Sequence, residues 1–335
     1  MYPFQEFVFR NLGKDLPSIR KQALEMEWVK VFAPATIGNI GPGFDVLGMA
    51  VRELGDVVEA RKIRSGVKIS SVAYTCPTVN LNTDPGKNTA GIAARETLKI
   101  LDVKGGIELR LEKGIPPGSG LGSSAASAAA AAFAVDYLYG NKLTKEDLIL
   151  PATRAEEVVS GGFFADNTAP ALLGGATLTR SCVPLDVTRI GSIKKLKIVL
   201  VTPEIVILTK DARKILPDNI PMKDFVFNMA NTSLITAAFA KDDYALFARS
   251  LNDVVIEPVR SKLIHGFDQV KENALKAGAD GMTISGSGPT VFAITDTLSR
   301  ARFIEDAMVR TFTQLGTKTS HVITAVDSEG TRVIH

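Results

Sequence analysis

The strictest pattern along the chain is the alternation Ile107-Glu108-Leu109-Arg110-Leu111-Glu112, which predicts a half-buried strand over residues 107–112. Weaker alternation predicts strands over 57–63 and 67–72, and residues 28–32 read as the first strand. Residues 89–101, 124–139 and 145–159 read as helices, the third opened by a capping-box-like pair, Thr144 with Asp147. After the connector Gly191-Ser192-Ile193-Lys194-Lys195, a strand is expected over 196–201, and the stretch beyond it is helix-rich. Short strands at 282–284 and 291–295, a helix over 299–315 and a strand over 321–325 complete an α+β pattern without repeats or low-complexity tracts. At 335 residues the chain is long enough for two domains that each bury a core. The expected division is an N-terminal extension over 1–27, a first domain over 28–192 and a second over 193–335.

Chemistry first appears between the strand at 107–112 and the alanine-rich helix that follows. There the chain runs Gly114-Ile115-Pro116-Pro117-Gly118-Ser119-Gly120-Leu121-Gly122-Ser123-Ser124. Glycines at 118, 120 and 122 permit positive φ and close backbone approach, so amide N–H groups can converge on an anion at the positive end of the helix. The expected ligand is a polyphosphate, that of ATP, although an ordinary strand-to-helix turn also uses glycines. The segment fits neither GxxxxGK[ST] nor a GxGxxG at a first strand, so a different nucleotide fold is implied.

Bulk properties narrow the classes. A net charge of +3 without a run of five like charges argues against a nucleic-acid surface. The apolar stretch 125–135 is interrupted by Ser127 and followed by Asp136, well short of the roughly 20 residues of a membrane span. Close helix packing is the expected use of its alanines. Cys76 and Cys182 make no zinc spacing and read as free thiols in a reducing cytoplasm. Residues 1–27 hold Arg10, Lys14, Arg20 and Lys21 but no continuous apolar core of a signal peptide. Glu6, Asp15, Glu25 and Glu27 weaken a transit-peptide reading, and Met26 is the expected natural start.

The segment PPGSGLGSSAA resembles the central ATP-binding motif of the GHMP small-molecule kinases. Two further segments agree in order: Ala33-Pro34-Ala35-Thr36-Ile37-Gly38-Asn39-Ile40-Gly41-Pro42-Gly43-Phe44-Asp45 resembles the first family motif, and Met282-Thr283-Ile284-Ser285-Gly286-Ser287-Gly288-Pro289-Thr290 the third. Phe164-Ala165-Asp166-Asn167-Thr168-Ala169-Pro170, Thr209-Lys210-Asp211-Ala212-Arg213 and Asn252-Asp253-Val254-Val255-Ile256-Glu257-Pro258-Val259-Arg260 are similar to segments of the homoserine kinases within that superfamily. One departure stands out: the family's histidine before Ala-Asp-Asn is Phe164 here.

The resemblance implies a ribosomal protein S5 domain 2-like N-terminal domain, a ferredoxin-like C-terminal domain and a cleft built by both. It implies a cytoplasmic enzyme that transfers the γ-phosphate of ATP to the hydroxyl of L-homoserine, with Mg²⁺, in threonine biosynthesis. A homodimer is common in the family; neither nucleic acid nor membrane is an expected partner. Pro116, Pro117, Gly118, Ser119, Gly120, Leu121, Gly122, Ser123 and Ser124 are expected to hold ATP, with Asn88 near its base and ribose or simply capping a helix. Glu156 is the implied metal ligand, or Glu157 if the register is off by one, together with a hydroxyl of Ser123 or Ser124. Gly286 and Gly288 close the site or make a plain hairpin turn.

For an amino-acid acceptor, one carboxylate and one or two arginines make a complementary pocket. By the resemblance, Asn39 and Asp45 hold the ammonium, Arg213 and Arg260 clamp the carboxylate, Asn167 meets the acceptor hydroxyl, and Thr209 contacts phosphate or acceptor. The alternative for Asn167 is the N-cap of a short helix before Leu173. Asp166 is a base by type only, Asn167 cannot take a proton, and none of His265, His321 and His335 is implicated, so catalysis by positioning is expected. Phe164 removes a donor from the pocket, a loss of about 1–2 kcal/mol. Another small alcohol (an amino alcohol, a hydroxy acid or an isoprenoid intermediate) is the alternative acceptor, and a non-catalytic nucleotide or ligand sensor the alternative class.

Overall fold

A computed structural model describes residues 27–76 and 81–335. The expectation of a start at Met26, with the segment before it, lies outside the described residues.

The first sheet has seven strands: β1 (Val29–Gly38), β2 (Leu47–Ile63), β3 (Gly66–Tyr74), β4 (Gly106–Lys113), β5 (Ala176–Cys182), β6 (Leu185–Gly191) and the C-terminal β11 (Arg332–Ile334). Its order is β11-β1-β2-β4-β3, with β5 and β6 attached to the first half of β2. The 17-residue β2 changes partner along its length because its register with β1 shifts between Pro34 and Ala35. Pro34 has no N–H to donate, and the bulge turns Leu47–Met49 toward β5 while Asp56–Ile63 stays on β4. Residues 47–51 are buried throughout, so no alternation betrays them in sequence; residues 57–63 alternate and are predicted.

Helix α1 (Thr89–Ile100) crosses between the parallel neighbours β3 and β4, and α2 (Ser123–Leu138) is the centre of the core. The small side chains of Ala125–Ala132 let α2 approach α1, β1 and β2 closely, and nearly every residue in this run is buried. Helix α3 (Ile149–Ser160) begins four residues later than expected. Thr144 and Asp147 do bond reciprocally, Thr144 N–H and Oγ1 donating to Asp147 Oδ2 at 2.9 and 2.7 Å, but they close a turn that leads into the helix. The reason is Pro151, whose ring clashes with the carbonyl of residue 147 in any continuous helix and is tolerated only in a first turn. Short α4 (Thr168–Leu173) leads into β5.

The second sheet comprises β7 (Lys197–Pro203), β8 (Gly281–Ile284), β9 (Val291–Thr295) and β10 (Thr319–Thr324) in the antiparallel order β10-β7-β9-β8. With helices α5 (Thr209–Lys214), α6 (Met222–Lys241), α7 (Tyr244–Ser250), α8 (Glu257–Arg260) and α9 (Phe267–Lys276) before β8, and α10 (Leu298–Gln314) before β10, this is the split βαβ arrangement of ferredoxin-like folds. Alternation along β7 buries both faces: Val199 and Val201 pack with α9 and α10, while Ile198 and Leu200 join the core of the first sheet with Phe239 of α6. The division expected at residues 192/193 is crossed again at the C-terminus, where β11 pairs Arg332–Ile334 with β1 and Val326 bridges Val51. Among the described residues no helix is long and apolar enough to cross a membrane.

Candidate active site

A cleft of about 500 Å³ opens where the glycine loop, the β1–β2 turn, the segment before α4 and the β8–β9 turn meet. Its floor is the phosphate-loop candidate. Gly118, Gly120 and Gly122 have φ of 74°, 81° and 65°, so the left-handed backbone anticipated for them is present. Gly120 has a second reason to be glycine: a Cβ there would lie 2.5 Å from the Ser285 carbonyl and 2.7 Å from that of Gly288. Every predicted loop residue lines the cleft except Pro116 and Leu121. Those two act from behind, the Pro116 carbonyl accepting from Ser119 N–H (3.3 Å) and the Leu121 carbonyl from Thr36 N–H (3.1 Å). The Ser119 hydroxyl is buried without a protein partner, as a group awaiting a ligand would be.

The two serines after the loop differ in use. Ser123 Oγ donates to the Ile115 carbonyl (2.9 Å) and so braces the loop, whereas Ser124 Oγ donates to Glu156 Oε2 (2.8 Å). Glu156 lines the cleft, whereas Glu157 faces solvent. Burial pushes the Glu156 carboxyl up to about 7, against the Ser124 hydrogen bond and the charge of Lys113. One carboxylate and one hydroxyl suit a hard cation that fills its other positions with phosphate oxygens and water. Among the described residues there is no group of three or more His, Cys, Asp or Glu able to cage a metal.

The opposite half of the cleft is charged. Arg213 of α5 makes a two-pronged pair with Asp45, both N–O distances being 2.9 Å. Its guanidinium lies 4.2 Å from the centre of the Phe164 ring and 5.2 Å from that of Phe44. Phe164 therefore faces an arginine and supplies a π surface at the position where the family's pattern has a histidine. Arg260 is buried, lies 5.0 Å from the Phe44 ring and donates from Nη1 to the Gly286 carbonyl (2.9 Å). Its Nε has no protein partner. Asp166, also buried, has its carboxyl raised to about 7, first by burial and then by Asp45, with Arg213 opposing.

Asn39, expected to meet an ammonium, lines the cleft with its amide engaged at both ends: Oδ1 accepts from Asp45 N–H and Nδ2 donates to the Gly286 carbonyl, each at 3.0 Å. It thereby fixes Asp45, whose φ is 59°. Asn88 caps α1, its Oδ1 accepting from Ala90 N–H (3.0 Å), and it also lines the cleft. Asn167 stands at the N-cap position of α4 without capping it; its Oδ1 accepts from Thr36 Oγ1 (2.8 Å). Thr209 opens α5 on the exposed rim, 3.4 Å from Ser287 Oγ.

Two groups escaped the sequence reading. Lys113, 1% exposed, is paired beneath the loop with Asp56 and donates to the Ser123 carbonyl (2.9 Å) and Ser127 Oγ (2.7 Å). Asp56 in turn accepts from Gly114 N–H (3.1 Å) and Ile115 N–H (3.2 Å). A signal existed: residues 107, 109 and 111 face the core, and Lys113 continues that inward phase as a charge. Thr36 gave none, because its partner Asn167 is 131 positions away.

Comparison with known proteins agrees with this geometry. The family model of the GHMP kinases N terminal domain matches residues 88–175, and that of the GHMP kinases C terminal matches 235–314. A homoserine kinase of Arabidopsis thaliana is 45% identical over 316 residues, covering 92% of this chain and 85% of that protein. One from Chloroherpeton thalassium is 41% identical over 321 residues, covering 92% and 100%. The crystal structure of a homoserine kinase from Cytophaga hutchinsonii superposes with a TM-score of 0.87 at 41% identity, over 92% of this chain and 98% of that one. The chain therefore belongs to the homoserine kinases of the GHMP kinase family.

Proposed function

We propose that the protein transfers the γ-phosphate of ATP to the hydroxyl of L-homoserine, giving O-phospho-L-homoserine and ADP. One observation carries the acceptor side: Asp45 and Arg213 bond to each other in the same cleft as the glycine loop. A zwitterion satisfies both by inserting between them, its ammonium on Asp45 and its carboxylate on Arg213 and Arg260. The loop amides and the N-terminus of α2 receive the phosphates, and Asn88 flanks the base and ribose. Asn167 holds the acceptor hydroxyl.

In the transfer, the hydroxyl oxygen forms a bond to the γ-phosphorus, the bond from that phosphorus to the β–γ bridging oxygen breaks, and its electron pair leaves with ADP. With a loose transition state the hydroxyl proton departs late, to the transferred phosphate or water, so these residues contribute mainly alignment and charge. Ser124 and Glu156 would hold Mg²⁺, which when bound neutralises charge on the β- and γ-phosphates. A cytoplasmic location, a homodimer and the domain division at 192/193 belong to the same reading.

The test is Mg²⁺-dependent ADP release with L-homoserine, L-serine, L-threonine and mevalonate as separate acceptors, beside a Ser124→Ala control. Turnover selective for homoserine and depressed in the control is the expected result. Turnover with another acceptor alone would keep the kinase and move its substrate; ATP binding without any turnover would overturn the assignment.

A further inference from the structure

We propose that Thr36 is a positioning residue for phosphoryl transfer, setting which end of the Asn167 amide faces the acceptor hydroxyl. The inference rests on the kinase reading above. Thr36 is fully buried in β1 and has two bonds that converge on the site. Its N–H donates to the Leu121 carbonyl in the glycine loop (3.1 Å), and its Oγ1 donates to Asn167 Oδ1 (2.8 Å).

An asparagine amide offers an oxygen at one end and an NH₂ at the other, and rotation about χ2 exchanges them. With Oδ1 held by Thr36, Nδ2 is the end left for an acceptor. The slot is narrow. A Cβ on Gly38 would lie 2.8 Å from Asn167 Nδ2, and one on Gly122 would lie 3.1 Å from Asn167 Oδ1 and 2.0 Å from Thr36 Oγ1. Asn167 is also released from the usual work of its position, since its side chain does not cap α4.

The consequence is directional. A hydroxyl that accepts from Nδ2 commits one lone pair and its remaining lone pair can be aimed at phosphorus. A flipped amide would instead draw the hydroxyl proton to Oδ1 and rotate the lone pairs away from the line of attack.

The test is a double-mutant cycle on the full chain: Thr36→Val, which is near-isosteric but lacks the donor, Asn167→Ala and both together, with Thr36→Ser as the conservative variant. Turnover is measured with the acceptor that the wild-type protein phosphorylates best, so failure of the homoserine assignment leaves this test intact. Thr36→Val is expected to lower kcat by about 10- to 100-fold, with ADP affinity and the KM for ATP within twofold of wild type. Thr36→Ser recovers most of the rate, and Thr36→Val adds nothing in the Asn167→Ala background. An equal loss in both backgrounds, or an unchanged kcat with only a lower Tm, overturns the proposal. Should Asn167→Ala fall below detection, recovery by Ser at unaltered ADP affinity supports it, and failure of that recovery refutes it.

Discussion

Phe164→Leu isolates what the aromatic ring does in the acceptor half of the cleft. The ring centre lies 4.2 Å from the Arg213 guanidinium carbon, while Phe44 is farther at 5.2 Å, so Phe164 is the closer π partner. The Arg213 side chain is 35% exposed, which places this contact between the exposed and desolvated limits for cation–π attraction, at about 1 kcal/mol. Leucine keeps an apolar wall but has no π face. Arg213 then keeps Asp45 and only the more distant Phe44 ring, and an incoming zwitterion must open that pair with less support for the plane of the guanidinium. A loss of about 1 kcal/mol is roughly fivefold in affinity. The expected outcome is a KM for homoserine about fivefold higher, with kcat and the KM for ATP unchanged, the signature of lost uniform binding. Steady-state kinetics with each substrate varied at saturation of the other reads it directly. Phe164→His sharpens the test: a neutral imidazole preserves the face at pH 8, whereas below its ordinary value of about 6.5 a protonated ring confronts Arg213. If Phe164→Leu leaves the acceptor KM unchanged, or shifts kcat and the KM for ATP instead, the ring does not support Arg213 as argued.

Asp166→Asn is expected to change the pH dependence of stability. The carboxyl sits at about 7 in the fold and at about 3.9 in an unfolded chain. The folded state thus keeps a proton that the unfolded state has released, and stability falls as pH rises from about 4 to about 7, by at most about 1.4 kcal/mol per pH unit. Urea unfolding of the variant against wild type should show a stabilisation near zero at pH 4 that grows to a plateau above pH 7; a difference independent of pH would refute it. Lys113→Met leaves Asp56 charged and buried, a loss of about 3–5 kcal/mol in the same assay, accompanied by weaker ADP binding because Asp56 holds Gly114 and Ile115 N–H. A stability within about 0.5 kcal/mol of wild type would mean that Asp56 finds another partner or a proton.

The backbone of the glycine loop was legible because its signal is local. Glycines two apart announce a left-handed backbone, and a strand before them with a helix after them fixes what the loop can do. Alternation located β4 because one face of that strand meets the core and the other does not. The first half of β2 stayed hidden for the opposite reason, both of its faces being covered. The start of α3 at Ile149 follows Pro151 rather than the capping pair at Thr144 and Asp147, because backbone sterics outrank a side-chain cap. Lys113 is legible by phase alone, as the last residue of a strand that runs one position beyond the alternation ending at Glu112.

What pattern could not supply is the joining of the two halves. Gly286 makes the point: its carbonyl accepts from both Asn39 Nδ2 and Arg260 Nη1, and its N–H donates to the Gly38 carbonyl (3.1 Å). The adjacent Ser285 Oγ donates to the Gly120 carbonyl (2.7 Å) across 165 positions of sequence. Read as a motif, this turn closes the site or is a plain hairpin. In the fold it is the piece against which Arg260, the Asp45 turn and the glycine loop are all held. Its glycines follow from that crowding as much as from the turn, since a Cβ on Gly286 would come within 3.1 Å of the Gly120 carbonyl. On the proposed reading, the distance between an acceptor at Arg260 and a phosphate at Gly120 is set by a few hydrogen bonds to backbone groups among segments remote in sequence. In-line transfer tolerates little error in that distance, which gives a physical reason for a turn built as tightly as the glycine loop it meets.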